Sequence, residues 1–192
     1  MTRAVRLVSL CAVVAFAASC SSPPEHDVVL RGGTVYDGSG AAPFIGDIAV
    51  DGDTISRVLR VEGASDGDRP RGTIEIDVSG LAVSPGFVNM LSWANETLLV
   101  DGRGESDIRQ GVTLEVFGEG WSMGPLNEAM KAERAARQGH IRYDIEWETL
   151  GEYLEFLERR GVSPNVASFM GATTARIYVL GYEDRAPTGE EL

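Results

Sequence analysis

The chain has 192 residues, of which 43% are hydrophobic and 24% are charged, and its net charge is -12. This composition is typical of globular proteins with a buried core, and it excludes fibrous and disordered chains. The acidic balance argues against a nucleic-acid partner, because phosphate binding depends on clustered Lys and Arg side chains. We therefore expect one or two folded domains and no nucleic-acid partner.

Residues 1–19 are predicted to be a secretory signal peptide. Two arginines precede an apolar stretch that is too short to cross a bilayer as a helix. The stretch ends at Ala17-Ala-Ser-Cys20, which resembles the lipobox of bacterial lipoproteins. The resemblance implies a lipid anchor at Cys20, a tether over residues 20–26, and a location in the bacterial cell envelope, attached to a membrane. Ordinary secretion with a chance cysteine at the cleavage site is the alternative.

Residues 27–80 are predicted to form an antiparallel β unit. Their strands alternate apolar and polar side chains, and Asp51 with Gly52 supplies a hairpin turn. A segment rich in Gly, Asp and Arg then reads as a surface loop. The strands are predicted at residues 27–37, 47–58 and 73–77, and the loop at residues 63–72.

From residue 81 onward, strands alternate with helices, which predicts a parallel sheet, either open or closed into a barrel. Thr149 and Glu152 match a capping box for one helix, and Thr188 and Glu191 match a second capping box. We therefore expect helices to begin at both places. Strands are predicted at residues 81–88, 112–117 and 166–170, and further helices at residues 105–110 and 127–138.

The order and spacing of these segments resemble the amidohydrolase superfamily and, within it, the N-acyl-D-amino-acid deacylase (D-aminoacylase) family. The resemblance implies an α/β fold in which a small β-sandwich segment, residues 27–80, precedes the first part of a (β/α)8 TIM-like barrel, residues 81–192. About three βα units fit this length, so the barrel is expected to be incomplete. The segments that carry the resemblance are DVVLRGGTVYDGSG, DIAVDGDTISRV, GLAVSPGFVN, SDIRQGVTLEVFGEGWSMGPL and NVASFMGATTARIYVLGYEDRAPTGEEL.

The resemblance also implies a divalent metal, expected to be zinc, that polarises an amide carbonyl and activates a water molecule. Leu91 and Trp93 stand where the family usually has His-x-His, and Ala172 stands where it usually has the histidine of Gly-His-Gly-Thr. None of these three side chains offers a lone pair to a metal. Glu119 stands in place of a usual cysteine ligand and is the remaining candidate metal ligand, although a solvated turn carboxylate is the alternative.

Other side chains are weaker candidates. His26 and His140 are expected to be solvated, and Arg176 either holds a substrate carboxylate or makes a surface salt bridge. Three further residues either line an apolar acyl pocket or pack in the core: Trp93, Trp121 and Met123.

Two functions are left open by the sequence. The first is a metal-dependent amidohydrolase that cleaves the non-peptide amide bond of N-acyl (D-)amino acids or related small molecules, with its catalytic residues expected beyond residue 192. The second is a truncated or inactive envelope lipoprotein that retains the scaffold. Glu119 favours the first function, whereas the losses at Leu91, Trp93 and Ala172 favour the second. The chain alone is expected to be inactive.

Overall fold

The computed structural model describes residues 24–192, which fall into two compact units that meet in sequence between Ser84 and Pro85. The predicted signal peptide and the predicted lipidation site at Cys20 lie outside the described residues. Within residues 24–192, no helix combines the length and the apolar character needed to cross a membrane.

The first unit is built on one five-stranded sheet. Its strands are β1 (His26–Val35), β2 (Phe44–Asp51), β3 (Thr54–Arg60), β4 (Gly72–Asp77) and β5 (Ala82–Val83). β1 lies at the centre, with β2 and then β3 on one side and with β4 and β5 on the other. Because the described part of this unit forms a single sheet, it contains at most one layer of the predicted sandwich.

Within residues 27–80, the predicted antiparallel arrangement is confirmed for β1, β2 and β3 and is wrong for β4. β2 pairs antiparallel with β1 and with β3, and the β2–β3 hairpin turns just after Asp51, as predicted. β4 and β5 instead run parallel to β1. The reason is that residues 61–71 carry the chain across to the free edge of β1, which it enters in the same direction as β1.

The sequence predicts a domain boundary after residue 80, and the two compact units of the structure divide between Ser84 and Pro85. The apolar run that was predicted as one strand over residues 81–88 is interrupted at Pro85, which lacks the N–H needed to continue a ladder. β5 therefore joins the first sheet, and the residues after Pro85 begin the second sheet. The predicted loop over residues 63–72 is confirmed for residues 63–71, which include one short 3-10 turn at Asp66–Asp68, whereas Gly72 already begins β4.

One face of the first sheet is apolar, because paired residues of neighbouring strands share a face. Val28 pairs with Val50 and with Ile74, and Val50 pairs with Ile55. On the outer strands, Ile55 and Ile74 remain 60% and 55% exposed. This face is therefore uncovered within the first unit.

A network of charged side chains surrounds Asp47 of β2, which is fully buried. Asp47 accepts two hydrogen bonds from Arg69 at 2.7 Å, one from Arg31 at 3.1 Å and one from the backbone N–H of Gly32 at 2.9 Å. Burial opposes ionisation, but these donors hold the pKa of Asp47 below its usual value. The network thus ties the loop that carries Arg69 to β1 and β2.

The prediction that His26 is a solvated tether residue is wrong. His26 begins β1, so the predicted tether ends before it, and only 14% of its side chain is exposed. Its Nδ1 lies 2.9 Å from Asp51 Oδ2 and 3.2 Å from Ser56 Oγ. Hydrogen bonding, first with Ser56 and then with His26, lowers the pKa of Asp51 to about 2.

The second unit confirms the predicted alternation of strands and helices. Its three strands pair in parallel in the order β6-β7-β8, with β7 at the centre. They form an open sheet in the described residues. The elements are β6 (Phe87–Asn89), α1 (Thr97–Val100), α2 (Glu105–Ile108), β7 (Val112–Phe117), α3 (Glu128–Arg137), α4 (Leu150–Arg160), β8 (Asn165–Ser168) and α5 (Ala172–Leu180).

The helices pack on one face of β7 through a shared apolar core. Phe117 of β7 contributes to this core, whereas Leu114 and Val116 alternate to the opposite face of the strand. The remaining buried members of the core are Leu98, Leu99, Met123, Leu126, Met130, Trp147, Tyr153, Leu157 and Ile177.

The predicted helix starts are confirmed for α3 and α4. Asn127 caps α3 by accepting a hydrogen bond from the N–H of Met130, and Thr149 and Glu152 form the predicted capping box of α4. The sequence did not predict α5. The helix predicted to begin at Thr188 is wrong within residues 181–192, because the carboxylate of Glu191 binds the Thr188 N–H and Arg185 in a turn.

Candidate functional site

The predicted site positions lie together at one edge of the second sheet. Leu91 and Trp93 follow β6, Glu119 follows β7, and Ala172 follows β8 at the start of α5. Because these three neighbouring strands are parallel, their carboxyl ends meet at the same edge. This is the edge at which α/β enzymes bind their ligands.

The side chains at these positions do not make a metal site by themselves. Leu91 and Trp93 are 52% and 68% exposed, and neither side chain can coordinate a cation. Glu119 is an exposed carboxylate, and Ala172 has no donor atom. Across residues 24–192, no three His, Cys, Asp or Glu side chains are grouped so that they could hold a metal ion. The donor set of this chain therefore does not fit the implied metal.

The backbone around Glu119 is fixed even though its carboxylate is exposed. Gly118 has a φ of 88°, and a Cβ at this position would collide with the carbonyl oxygen of Phe169, so the close approach of the two strand ends requires glycine. The N–H of Trp121 donates to the carbonyl oxygen of Glu119 at 2.8 Å, and the N–H of Thr173 donates to that of Gly120 at 3.0 Å. The turn thus presents the Glu119 side chain at a defined place.

A buried pair of hydroxyl residues, which sequence reasoning missed, holds the same turn to α5. The N–H of Ser122 donates to Thr174 Oγ1 at 2.8 Å, and Ser122 Oγ accepts from the N–H of Gly171 at 3.0 Å. Ser122 is 1% exposed, and Thr174 is fully buried. The Thr174 position within the Gly171–Thr174 motif is the only signal in the sequence that could have indicated this role.

A buried acid, also missed, lies beneath the strand ends. Glu115 of β7 is fully buried, and its Oε2 accepts a hydrogen bond of 2.5 Å from Ser92 Oγ. Its Oε1 has no partner among residues 24–192. Burial raises the pKa of Glu115, and the hydrogen bond from Ser92 opposes that shift only in part. Because Ser92 lies between Leu91 and Trp93, Glu115 anchors the segment that carries both.

A groove of about 450 Å³ opens beside Trp93. Its floor includes Leu126 and Met130, which are 1% and 8% exposed. Its rim carries Trp93, Trp121 and Tyr182, which are 68%, 45% and 65% exposed. The groove therefore combines a buried aliphatic and thioether floor with an aromatic rim.

The wall of the groove contains a cation that lacks an anionic partner. The guanidinium of Arg134 donates to Met123 Sδ at 2.7 Å and to the carbonyl oxygen of Ser122 at 3.2 Å. It makes no ion pair with any described carboxylate. In contrast, Nη2 of the neighbouring Arg137 forms an ion pair with Oε1 of Glu133 at 2.6 Å. Arg134 is thus a half-buried positive charge held in place by neutral acceptors.

The structure places the weaker candidate residues from the sequence in different environments. Trp93 and Trp121 line the groove, whereas Met123 is 1% exposed and packs in the core. His140 is exposed, as predicted. The predicted salt bridge of Arg176 is wrong for the described residues, because Arg176 donates to the carbonyl oxygens of Glu183 and Arg185 at 3.0 and 2.8 Å.

The chain is homologous to D-aminoacylases at about 30% identity. It is 32% identical to D-aminoacylase of Alcaligenes xylosoxydans xylosoxydans over 178 residues, which is 91% of this chain and 35% of the relative. A D-aminoacylase structure from a study of its binuclear metal centre aligns with a TM-score of 0.69 and 31% identity, covering 86% of this chain and 34% of that one.

A second solved structure is N-acyl-D-glutamate deacylase from Bordetella bronchiseptica, in complex with zinc and a phosphonate inhibitor. It aligns with a TM-score of 0.67 and 25% identity, covering 86% of this chain and 34% of that one. No protein-family model matches the chain. The chain spans about a third of the length of these relatives. These homologues are hydrolases that act on carbon–nitrogen bonds other than peptide bonds.

Proposed function

We propose that the whole protein hydrolyses the amide bond of N-acyl amino acids, with the D-amino acids as the first substrates to test. The observation that carries this proposal is the joint agreement of sequence and fold with D-aminoacylase, at 32% identity over 91% of the chain and a TM-score of 0.69. The two solved structures described above are named D-aminoacylase and N-acyl-D-glutamate deacylase, and these names support N-acyl-D-amino acids as substrates.

The proposal includes the fold of the whole protein. β6, β7 and β8 are the first strands of a (β/α)8 barrel, and the first unit contributes one layer of a β-sandwich. The exposed side chains on the apolar face of the first sheet, such as Ile55 and Ile74, support a second layer there. Val88 of β6 pairs with Leu114 of β7, so it lies on the face of the second sheet that is opposite the helices. Its side chain is 48% exposed, which supports the presence of further strands in the whole protein.

Zinc is part of the proposal only if ligands from outside residues 24–192 join Glu119, because the described residues do not group enough donors to hold a metal by themselves. A metal there would supply a Lewis acid to the amide carbonyl. The zinc in N-acyl-D-glutamate deacylase supports the idea, and Glu119 is the carboxylate that follows β7 in this chain. Leu91, Trp93 and Ala172 cannot contribute, so this chain alone is expected to be inactive.

The proposal places the protein in the cell envelope through a lipid on Cys20. Its support is the signal-peptide pattern and the lipobox-like Ala17-Ala-Ser-Cys20. Labelled palmitate should enter the wild-type protein and should be absent from Cys20→Ala in membrane fractions. Equal labelling of both, or of neither, would contradict the anchor.

A second candidate function is a binding scaffold that has lost its chemistry. The specific observation in its favour is the replacement of three expected ligand positions by Leu91, Trp93 and Ala172 at one strand edge. Under this alternative, the same edge still binds a small molecule but does not hydrolyse it.

Metal content and amide hydrolysis of the whole protein distinguish the two functions. The wild type is expected to contain metal and to release amino acid from N-acyl-D-amino acids. Glu119→Ala should lose both by about tenfold or more, because it removes a direct ligand. Glu128→Ala, which removes a carboxylate that is 90% exposed on α3, is the matched control and should change neither.

Two results would contradict parts of this proposal. If Glu119→Ala retains full metal content and full activity, Glu119 is a solvated turn residue. If the folded wild type has neither metal nor activity, the scaffold function replaces the enzyme.

A further inference from the structure

We infer that the groove beside Trp93 binds N-acyl amino acids with a long apolar acyl group, placing the acyl chain against Trp93 and Trp121 and the carboxylate on Arg134. The inference rests on the proposed function for its choice of N-acyl amino acids. It adds the class of acyl group and the residues that select it.

The shape of the groove fits an acyl chain. Its volume of about 450 Å³ lies within the range of small-molecule sites, which is roughly 300–1,000 Å³. Leu126 and Met130 form a buried floor, and a thioether adapts to flexible chains. Trp93 and Trp121 leave large apolar surfaces in water at the rim. An acetyl group would leave most of this surface wet, whereas a chain of about ten carbons would cover it.

Among the charged residues that line the groove, Glu96, Glu133, Arg134 and Arg137, Arg134 is the one suited to bind a ligand carboxylate. Arg134 lines the groove, and neutral acceptors on Ser122 and Met123 hold its guanidinium in place. A guanidinium has five N–H donors, so donors remain after these contacts. Because Arg134 forms no ion pair among residues 24–192, a ligand carboxylate would not have to displace a protein carboxylate. Arg137 is less suited, since Glu133 already binds it.

The tryptophan at position 93, where the family usually has histidine, would then contribute to ligand binding. A histidine at this position would give the rim a polar ring, whereas the indole extends the apolar wall. The hydrogen bond between Ser92 and the buried Glu115 fixes the segment that presents this indole. Trp93 therefore cannot bind a metal, but it lines the groove.

Fluorine NMR of protein labelled with 5-fluorotryptophan tests this inference without any need for turnover. The indole signals, assigned with Trp→Phe variants, are followed during titration with N-decanoylglycine, N-acetylglycine or decanamide. N-decanoylglycine should shift the signals of Trp93 and Trp121, while Trp147, buried and bonded to the carbonyl of Met123, serves as the internal control. N-acetylglycine and decanamide, which lack the long chain or the carboxylate, should bind about tenfold or more weakly.

Variants separate the two ends of the ligand. Trp93→Ala should weaken binding of N-decanoylglycine about tenfold, as should Arg134→Gln, whereas Arg134→Lys should retain most of the affinity because it keeps a cation. Arg159→Gln, on the exposed surface of α4, is the matched control and should have no effect. Thermal unfolding of each variant checks that it is folded.

The inference is overturned if N-decanoylglycine leaves the Trp93 and Trp121 signals in place, or if Arg159→Gln weakens binding as much as Arg134→Gln. Failure of the proposed function has a different signature. In that case the ligand binds with these shifts, but the whole protein does not hydrolyse it. Hydrolysis without the shifts would instead leave the proposed function intact and reject the groove.

Discussion

The two units of the chain each bury one carboxyl group completely, and they treat it in opposite ways. In the first unit, Asp47 receives hydrogen bonds from Arg31, Arg69 and a backbone N–H, and its pKa is lowered. In the second unit, Glu115 has one partner, Ser92, and an oxygen without any partner in the described residues, and its pKa is raised. Equal burial therefore accompanies a lowered pKa in one unit and a raised pKa in the other, because the hydrogen-bond partners differ.

The two carboxyl groups hold two different segments in place. Asp47 holds the loop that carries Arg69, and Glu115 holds the segment after β6 that carries Ser92. The charged network around Asp47 holds a loop across the sheet by charge-assisted hydrogen bonds, which are strong when both partners stay in place. Glu115 holds the segment around Ser92 through one hydrogen bond and without a charged partner. One oxygen of Glu115 is left without a partner in the described residues, and because burial raises the pKa of this carboxyl group, the anchor is sensitive to pH.

The largest expected effect follows from removing the charge of Asp47. Asp47→Asn leaves Arg31 and Arg69 facing each other without their shared anion, so the free energy of unfolding should fall by about 3 kcal/mol. Urea unfolding at pH 7 measures this change. The matched control is Asp53→Asn in the exposed β2–β3 turn, which should stay within about 0.5 kcal/mol. Equal effects of the two variants would show that the network around Asp47 has no special role.

An intermediate effect is expected at Glu115, and it depends on pH. The pKa of Glu115 is raised in the folded chain, so its stabilising contribution is complete below the unfolded pKa, about 4.3, and is lost as pH rises through the folded value. Glu115→Gln keeps an acceptor for Ser92 and removes the titration. It should therefore match the wild type near pH 4 and become more stable than the wild type as pH rises toward 8.

The opposite pH dependence at Asp47 sharpens this test. The pKa of Asp47 is lowered in the folded chain, so its contribution is complete above the unfolded pKa, about 3.9, and is lost as pH falls through the folded value. Unfolding of wild type, Glu115→Gln and Asp47→Asn between pH 3 and pH 8 compares the two slopes. If the difference between wild type and Glu115→Gln does not change with pH, the pKa of Glu115 is not raised in the folded chain.

The smallest expected effect concerns the start of α4, where Thr149 and Glu152 form a capping box. Thr149→Ala removes the acceptor for the Glu152 N–H, and it should lower the free energy of unfolding by about 1 kcal/mol. Thr173→Ala, within α5, is the control and should change stability by less than about 0.5 kcal/mol. A loss at Thr149 no larger than the loss at Thr173 would contradict the capping role.

Local patterns predicted the elements better than they predicted the pairing of strands. The alternation in β2 and β3, the turn at Asp51 and the capping box at Thr149 are properties of neighbouring residues, and all three are confirmed. The parallel direction of β4 depends on which edge of β1 is free, which no local pattern records. The split at Pro85 could have been predicted, because proline interrupts a ladder.

The sequence predicted only those residues of the candidate site that belong to a motif following a predicted strand. Leu91 and Trp93 were placed by motif, and the parallel register brings them to the same edge as Glu119. Arg134 was missed, because its role depends on contacts with a loop that the sequence does not place beside α3. Glu115 was missed because a polar residue in an alternating strand normally faces solvent.

Hydrolysis of two substrates that differ only in acyl length tests the central claim most directly. The whole protein, purified with its metal, is assayed for release of D-leucine from N-acetyl-D-leucine and N-decanoyl-D-leucine, alongside Trp93→Ala. The account predicts hydrolysis of both, with kcat/KM about tenfold or more higher for the decanoyl substrate and with that preference lost in Trp93→Ala. Absence of hydrolysis by the folded wild type, or equal kcat/KM for the two substrates, would contradict it.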